Sequence, residues 1–348
     1  AALMHKAAGL IRERVDHIAT LLTLEQGKPI AEARGEVLSA AGLLDYFAEQ
    51  GKRIEGRVLQ RPLGQRAMVT KHPVGPVAGF SPWNFPVNLM VKKIAPALAA
   101  GCVVIAKAPE ETPGCTSAVM RCIADAGIPG DVAQLVYGDP DMISRHLLAS
   151  PVIRKVTFTG STAVGKHLSK LAAEDLKVTT MELGGHAPFI VFKGADLDRA
   201  VAEGIKAKFA TSGQDCLGAN RFYIQRDIYD DFCARFTAAV EKLTLAPGMR
   251  DPDIGPLIHD RQIEKQMAHV EDALAKGARA GGATILENTA VTDILVENGK
   301  TLGVAVDASL GGLTVFRAFG AEHNIVLTDL ASRLLFLRPL VLGHGIVG

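Results

Sequence analysis

Apolar runs alternate with stretches of helical periodicity along most of this chain. The first fifty residues follow a helical pattern, and strands at 67–72 and 74–80 precede a helix near 89–100. Strands are then predicted at 103–106, 133–136 and 155–158, and helices at 116–126, 142–149 and 165–171. Such alternation is typical of βαβ units on a parallel sheet. The pattern therefore predicts an α/β fold.

A second domain is predicted to begin near Gly184. Strands at 187–191 and 221–225 alternate there with helices at 197–210 and 228–243. A chain of 348 residues is long enough for two domains. The pattern therefore predicts two α/β domains, with the most unusual polar segment of the chain in the second.

That segment is 209–221, where Cys216 lies among small, polar and turn-forming residues. The thiolate is the reactive form of cysteine, and apolar burial raises the thiol pKa and makes the group inert. These surroundings therefore suit a nucleophile. A free cysteine is also often a small buried hydrophobe, so the segment alone leaves both interpretations open.

Two other segments carry groups that a reactive thiol requires. Glu182 ends a β-prone run and precedes two glycines, a position that suits a general base. A solvated glutamate before a turn is the alternative. Asn84 lies between two prolines in a rigid loop, where its amide could stabilise an oxyanion or could bond its own backbone in an Asx-turn.

Two strands end in groups that suit a nucleotide. One delivers Lys107 and Glu110 at its carboxyl end, where open α/β sheets bind ligands. Another runs through Gly160 and Ser161 into a helix, whose first N–H groups suit a pyrophosphate. Ser161 could instead be only the N-cap of that helix. The glycines here do not form a G-x-G-x-x-G fingerprint.

In their order along the chain, these segments resemble the NAD(P)-dependent aldehyde dehydrogenase superfamily, and the resemblance runs from near the N-terminus to about residue 281. Segments 45–54 and 213–216 are most similar to its succinate-semialdehyde dehydrogenase branch. The resemblance implies a Rossmann-like NAD-binding domain over 1–183, begun inside the family's first helices. It also implies an incomplete α/β catalytic domain over 184–281, with the site between the domains.

The resemblance further implies a reaction. Cys216 would attack an aldehyde such as succinate semialdehyde, Asn84 and the Cys216 N–H would hold the oxyanion, and Glu182 would activate the water that hydrolyses the thioester to the acid. The cofactor would be NAD, with NADP possible, because Glu110 accepts hydrogen bonds from a free 2′-hydroxyl and repels a 2′-phosphate. The implied cofactor-binding residues are Ser81, Pro82, Trp83, Lys107, Glu110, Gly160, Ser161, Leu183 and Gly184.

Composition and charge limit the kinds of partner and cellular location that are expected for this chain. A net charge of +1 gives no electrostatic case for nucleic acid or an anionic membrane. No apolar run of spanning length and no signal peptide pattern is present, which predicts a cytoplasmic protein. Five cysteines without a C-x-x-C pair predict neither disulfides nor a metal site. The resemblance implies a homo-oligomer, although the late strand through which the family assembles is not found in this sequence.

His186 and Arg221 lie near the predicted base and nucleophile in sequence, and both are expected to have structural roles.

Residues 282–348 are predicted to be a β-rich tail outside the family. Two β runs flank Glu-Asn-Gly-Lys, which indicates a hairpin. The tail weakly resembles FAD-dependent oxidoreductases of the glucose-methanol-choline type, with a strand at 324–327, but it has no FAD-binding glycine fingerprint. The alternative function is therefore an impaired fragment or fusion that binds nucleotide, acts as an interaction module or retains only esterase chemistry.

Overall fold

The computed structural model describes residues 1–275, 290–297 and 300–307. The chain forms two compact units. The first contains Ala1–Gln26 and Ile30–Gly184, and the second contains Gly27–Pro29 and the described residues from Gly185 onward. Within the described ranges, no helix is long and apolar enough to cross a bilayer.

The first unit consists of helices around a parallel sheet. Its α-helices are α1 Ala2–Glu13, α2 Val15–Gln26, α3 Ile30–Gly51, α4 Pro86–Ala99, α5 Pro113–Asp125, α6 Pro140–Ala149 and α7 Thr162–Ala173. Its strands are β1 Arg57–Leu59, β2 Ala67–Val69, β3 Val77–Phe80, β4 Val104–Lys107, β5 Ala133–Val136, β6 Lys155–Thr159 and β7 Val178–Glu182. β1 and β2 form a separate antiparallel pair.

Strands β3 to β7 form one sheet in the order β5-β4-β3-β6-β7, and all of its neighbouring strands are parallel. The chain moves from β3 to one edge through β4 and β5, and then crosses to the other side of β3 to form β6 and β7. The gap between β3 and β6 is therefore a topological switch point, where ligands of open α/β sheets bind. The predicted α/β fold is confirmed.

Two apolar clusters cover the sheet. Alternate residues of a strand point to opposite faces, and Val77 belongs to one cluster while Ala78 belongs to the other. The first cluster joins the sheet to α1 through α5, and the second joins it to α6 and α7. β3 is buried at all four positions, as expected for a central strand covered on both faces.

The second unit contains the parallel pair β8 Ala187–Val191 and β9 Ala219–Ile224. Its helices are α8 Leu197–Phe209, α9 Tyr229–Val240 and α10 Asp260–Ala275. Phe189, Phe222, Phe232 and Phe236 meet in its core. The antiparallel strands β10 Ala290–Glu297 and β11 Lys300–Asp307 confirm the predicted hairpin, whereas the strand predicted at 324–327 lies outside the described residues.

Candidate active site

The predicted site residues of the first unit lie at the carboxyl edge of its sheet. Adjacent strands are joined there by backbone hydrogen bonds from Ser81 N to Lys107 O at 3.2 Å and from Gly160 N to Glu182 O at 3.0 Å. The loops after β3, β4, β6 and β7 carry the other predicted residues of this unit, which are Pro82, Trp83, Asn84, Glu110, Ser161, Leu183 and Gly184. Residues from four separate chain segments therefore meet at one edge.

The switch point offers polar groups to an anion. Ser161 caps α7, since its Oγ accepts the Val164 N–H at 3.3 Å. Other N–H groups in the first turn of a helix are available to an anionic ligand. Across the switch point, the Ser81 Oγ is buried without a hydrogen-bond partner in the described structure. An unpaired hydroxyl after one strand and a helix N-terminus after the neighbouring strand suit a phosphate group, so the N-cap and anion-binding interpretations of Ser161 are compatible.

Lys107 and Glu110 form an ion pair at the end of β4. The Lys107 side chain is only 7% exposed, whereas that of Glu110 is 42% exposed. The buried ammonium fixes the carboxylate at the sheet edge, where its oxygens can accept hydrogen bonds from a ligand. This donor and acceptor pair suits the neighbouring hydroxyl groups of a ribose.

Lys93 in α4 is a buried cation at this edge that was not predicted. Its Nζ donates to Thr159 Oγ1 at 2.6 Å, and the residue is 7% exposed. Burial lowers the pKa of Lys93 to about 8; the charge of Glu182 opposes this shift and that of Lys92 adds to it. The available sequence signal was a lysine on the apolar stripe of a helix, four residues after Leu89. Lys93 thus places a titratable ammonium in the field of the predicted base.

Replacing Lys93 by methionine is expected to stabilise the protein near neutral pH. The pKa of Lys93 is about 8 in the folded chain against an ordinary value of 10.5. Between these values the unfolded chain binds more protons, so wild-type stability rises with pH across the window. The variant should exceed the wild type by about 1–3 kcal/mol at pH 7, because a buried charge is removed. Urea unfolding at pH values through this window tests this, and a pH-independent difference would contradict it.

In the second unit, a left-handed turn precedes Cys216. Thr211, Ser212 and Gly213 have φ values of 47°, 60° and 75°. For a residue with a side chain this conformation costs about 1–2 kcal/mol. The Ser212 hydroxyl offsets this cost by accepting the Gly255 N–H at 3.0 Å and donating to the Gly255 carbonyl at 2.9 Å. The strained turn is therefore held in one conformation by tertiary contacts.

Cys216 itself is the second residue of a tight turn. Asp215 Oδ1 accepts the Leu217 N–H at 2.9 Å, and the Asp215 carbonyl accepts the Gly218 N–H at 3.1 Å. Gly185 packs against this turn so closely that a Cβ there would lie 3.1 Å from the Cys216 carbonyl oxygen. The thiol is half-buried, so Cys216 is not a core hydrophobe.

The other cysteines differ from Cys216. Cys102, Cys115 and Cys122 are buried and are therefore core residues. Burial raises the pKa of the Cys115 and Cys122 thiols, which keeps them protonated and unreactive. Among the described residues, no group of three or more His, Cys, Asp or Glu side chains could hold a metal ion.

His186 and Arg221 have structural partners, as predicted. The Nε and Nη2 atoms of Arg221 donate to the His186 carbonyl at 3.1 and 2.7 Å. The Asn220 amide pairs with His186 Nδ1 at 3.0 Å and accepts from Lys208 Nζ at 2.9 Å. The guanidinium of Arg221 is therefore used to hold the backbone that enters β8.

Comparison with known proteins identifies relatives. The model of the aldehyde dehydrogenase family matches residues 1–297. The chain is 41% identical over 322 residues to a glutarate-semialdehyde dehydrogenase of Pseudomonas putida, covering 91% of this chain and 67% of that protein. It is 45% identical over 286 residues to a 4-(hydroxymethyl)benzenesulfonate dehydrogenase of Comamonas testosteroni, covering 82% and 59%.

A solved structure is similar to this chain as well. The succinate-semialdehyde dehydrogenase from Burkholderia pseudomallei matches with a TM-score of 0.77 and 39% identity, covering 88% of this chain and 62% of that one. The chain thus spans about two thirds or less of the length of these three relatives. The family match continues from the expected limit near residue 281 to residue 297.

Proposed function

Because the chain belongs to the aldehyde dehydrogenase family, we propose that it oxidises a small aldehyde to the carboxylic acid with a nicotinamide cofactor. The observation that carries this proposal is the structure around Cys216, a half-buried thiol in a tight turn that follows a strained, hydrogen-bonded segment. Asn84 and Glu182 lie in the first unit and Cys216 in the second, so the cooperation of the three residues is part of the proposal.

The proposed reaction begins at the Cys216 sulfur. Its thiolate attacks the aldehyde carbon, and the resulting oxyanion is held by the Asn84 amide and the Cys216 N–H. In other enzymes, one such donor stabilises the transition state by about 3–4 kcal/mol. The nicotinamide, when bound, supplies the acceptor for the hydride that leaves this carbon. Glu182 then takes a proton from water, whose oxygen attacks the thioester and releases the acid and the Cys216 thiolate.

The edge of the sheet supports the cofactor assignment. The unpaired Ser81 hydroxyl and the N-terminus of α7 would hold the pyrophosphate. The Lys107 and Glu110 pair would hold the adenosine ribose, and the carboxylate favours NAD over NADP because it repels a 2′-phosphate.

Substitution of Glu110 by alanine tests the cofactor assignment. We expect the KM for NAD to rise about 10-fold, because a charge-assisted hydrogen bond to the ribose is lost. The KM for NADP should fall, because the repulsion of its 2′-phosphate is removed. Glu111→Ala, which removes the neighbouring carboxylate, serves as the matched control. An unchanged ratio of kcat/KM for NAD and NADP in Glu110→Ala would refute the assignment.

The names of the relatives suggest the substrate class. Two of them are dehydrogenases of glutarate and succinate semialdehyde, and the third is named for a benzenesulfonate. These compounds all carry an anionic group away from the oxidised carbon. We therefore propose an anionic aldehyde, with succinate semialdehyde as the first choice.

Spectrophotometric detection of NADH tests the proposed function. Wild-type protein should form NADH with succinate semialdehyde faster than with the neutral aldehyde propanal, and Cys216→Ala should lose almost all of this activity. If the wild type binds NAD but oxidises neither aldehyde, the activity is refuted and a nucleotide-binding module is the better description. Faster oxidation of propanal would refute the anionic substrate alone.

A further inference from the structure

Helices α4 and α5 begin in the same unusual way. Each starts with a proline, and the residue before it, Phe85 or Thr112, makes no side-chain hydrogen bond to the helix. The first N–H groups of a helix require such partners. In both cases a glutamate from an earlier helix of the chain supplies them.

Glu36 of α3 caps α4. One of its carboxylate oxygens, Oε1, accepts the Val87 N–H at 3.0 Å and the Asn88 N–H at 3.1 Å. Glu36 is 5% exposed, so water contributes little to solvating its charge. A buried carboxylate with two backbone donors at a helix N-terminus is held firmly, because hydrogen bonds to charged groups are the stronger ones and the helix dipole adds to them.

Glu25 of α2 caps α5 in the same manner. Its Oε1 accepts the Gly114 N–H at 2.5 Å and its Oε2 accepts the Cys115 N–H at 2.9 Å. A Cβ at position 114 would lie 2.7 Å from Oε1. Only glycine at this position therefore lets the carboxylate approach so closely.

The two capped helices follow two of the loops that carry predicted site residues. Asn84 lies two residues before the start of α4, and Glu110 lies three residues before the start of α5. The loop of Asn84 is fixed at its other end by the hydrogen bond from Ser81 N to Lys107 O. The position of Asn84 thus depends on the sheet at one end and on Glu36 at the other.

We propose that Glu36 is a positioning residue that fixes Asn84 for oxyanion binding, and that Glu25 does the same for the ribose-binding loop of Glu110. The inference rests on the proposed function. Misplacement of a catalytic group by about 1 Å can reduce a rate by about 100-fold. Glu36 therefore acts on the chemical step and Glu25 on cofactor binding, although neither touches a reacting atom.

The rate of Cys216 acylation by p-nitrophenyl acetate tests the role of Glu36, because this step forms an oxyanion without a cofactor. Glu36→Ala should slow the nitrophenol burst by about 10–100-fold, and Glu36→Gln should recover part of the rate because its amide oxygen still accepts hydrogen bonds. In an Asn84→Ala background, Glu36→Ala should slow acylation by less than about 3-fold, since both changes remove the same contribution. If the rate losses of the two single variants multiply in the double variant, the positioning role of Glu36 is overturned.

A matched control separates positioning from general loss of a helix cap. Asp139 caps α6 through its Oδ1, which accepts the Met142 N–H at 2.6 Å. Asp139→Ala removes a carboxylate cap from α6, a helix that does not follow the Asn84 loop, and should leave the burst unchanged. Trp83, the single tryptophan of the chain, adjoins Asn84, so acrylamide quenching of its fluorescence should increase in Glu36→Ala and not in Asp139→Ala. Equal quenching in both variants would overturn the inference, and Glu36→Gln provides the same comparison if Glu36→Ala does not fold.

NAD titration followed by Trp83 fluorescence tests Glu25. Glu25→Ala should weaken NAD binding by about 10-fold, because the helix that anchors the ribose-binding loop loses two charge-assisted hydrogen bonds, while slowing acylation by less than about 3-fold. If Glu25→Ala weakens NAD binding and slows acylation by the same factor, the separate roles of Glu25 and Glu36 are overturned. A wild type that neither acylates nor binds NAD would refute the proposed function and with it this inference, whereas an active wild type with multiplicative losses refutes only the inference.

Discussion

Cys216→Ala should lower NADH formation by about four orders of magnitude or more, as expected when a covalent nucleophile is removed. The remaining groups could still bind the aldehyde and polarise its carbonyl, but no thioester could form. The acylation burst with p-nitrophenyl acetate should disappear as well. Steady-state NADH formation and the burst, measured on the same preparation, check both expectations.

Cys233→Ala is the matched control for this loss. Cys233 is the other half-buried cysteine among the described residues, and it lies in α9 rather than in a strained loop. This variant should keep the wild-type rate. Substantial activity in Cys216→Ala, or comparable losses in the two variants, would show that the reaction does not depend on Cys216.

Glu182→Gln should separate the two halves of the reaction. Glutamine keeps the shape of the side chain but cannot take a proton from water. Deacylation should therefore slow by about 10²–10⁴-fold, the usual contribution of a general base. Rapid mixing with aldehyde and NAD should show a first turnover of NADH close to one per chain, followed by a slow steady state.

Glu174→Gln controls for removing a carboxylate of the first unit that lies away from the carboxyl edge of the sheet. Glu174 is exposed at the end of α7, and its substitution should leave both phases at wild-type rates. A Glu182→Gln protein that loses the first turnover and the steady state equally would show that Glu182 acts before the thioester, for example on the Cys216 thiol.

Much of the fold could be predicted from local sequence. The strands at 133–136 and 187–191 have the predicted bounds, because short, mostly apolar runs between turns leave little choice. Helices α4, α5 and α6 all begin earlier than predicted, each at a proline. Proline indicates a break in an apolar pattern, yet it fits the first position of a helix.

Elements with little local signal were missed. β1 is exposed at all three positions, so it has no apolar alternation to detect. α10 was also not predicted; its polar residues outweigh its apolar ones, and only periodicity would indicate a helix. The tail hairpin was predicted because its turn residues carry a strong local signal.

The candidate site also contains residues with a local sequence signal and residues without one. Cys216, Glu182 and Asn84 were proposed from the sequence because each lies in a segment whose turn formers and polar residues stand out. Glu36 and Glu25 were not, because the N–H groups that they accept lie more than fifty and almost ninety residues further along the chain. The left-handed Ser212 was missed for a similar reason, since its hydrogen bonds to Gly255 come from tertiary structure.

The central claim is that Cys216 carries the acyl group during oxidation. The most direct test is peptide mass spectrometry of Glu182→Gln protein quenched after mixing with succinate semialdehyde and NAD. The account predicts a succinyl adduct on the peptide that contains Cys216, formed only when NAD is present. NADH formation without an adduct on any cysteine, or with the adduct on another cysteine, would contradict it.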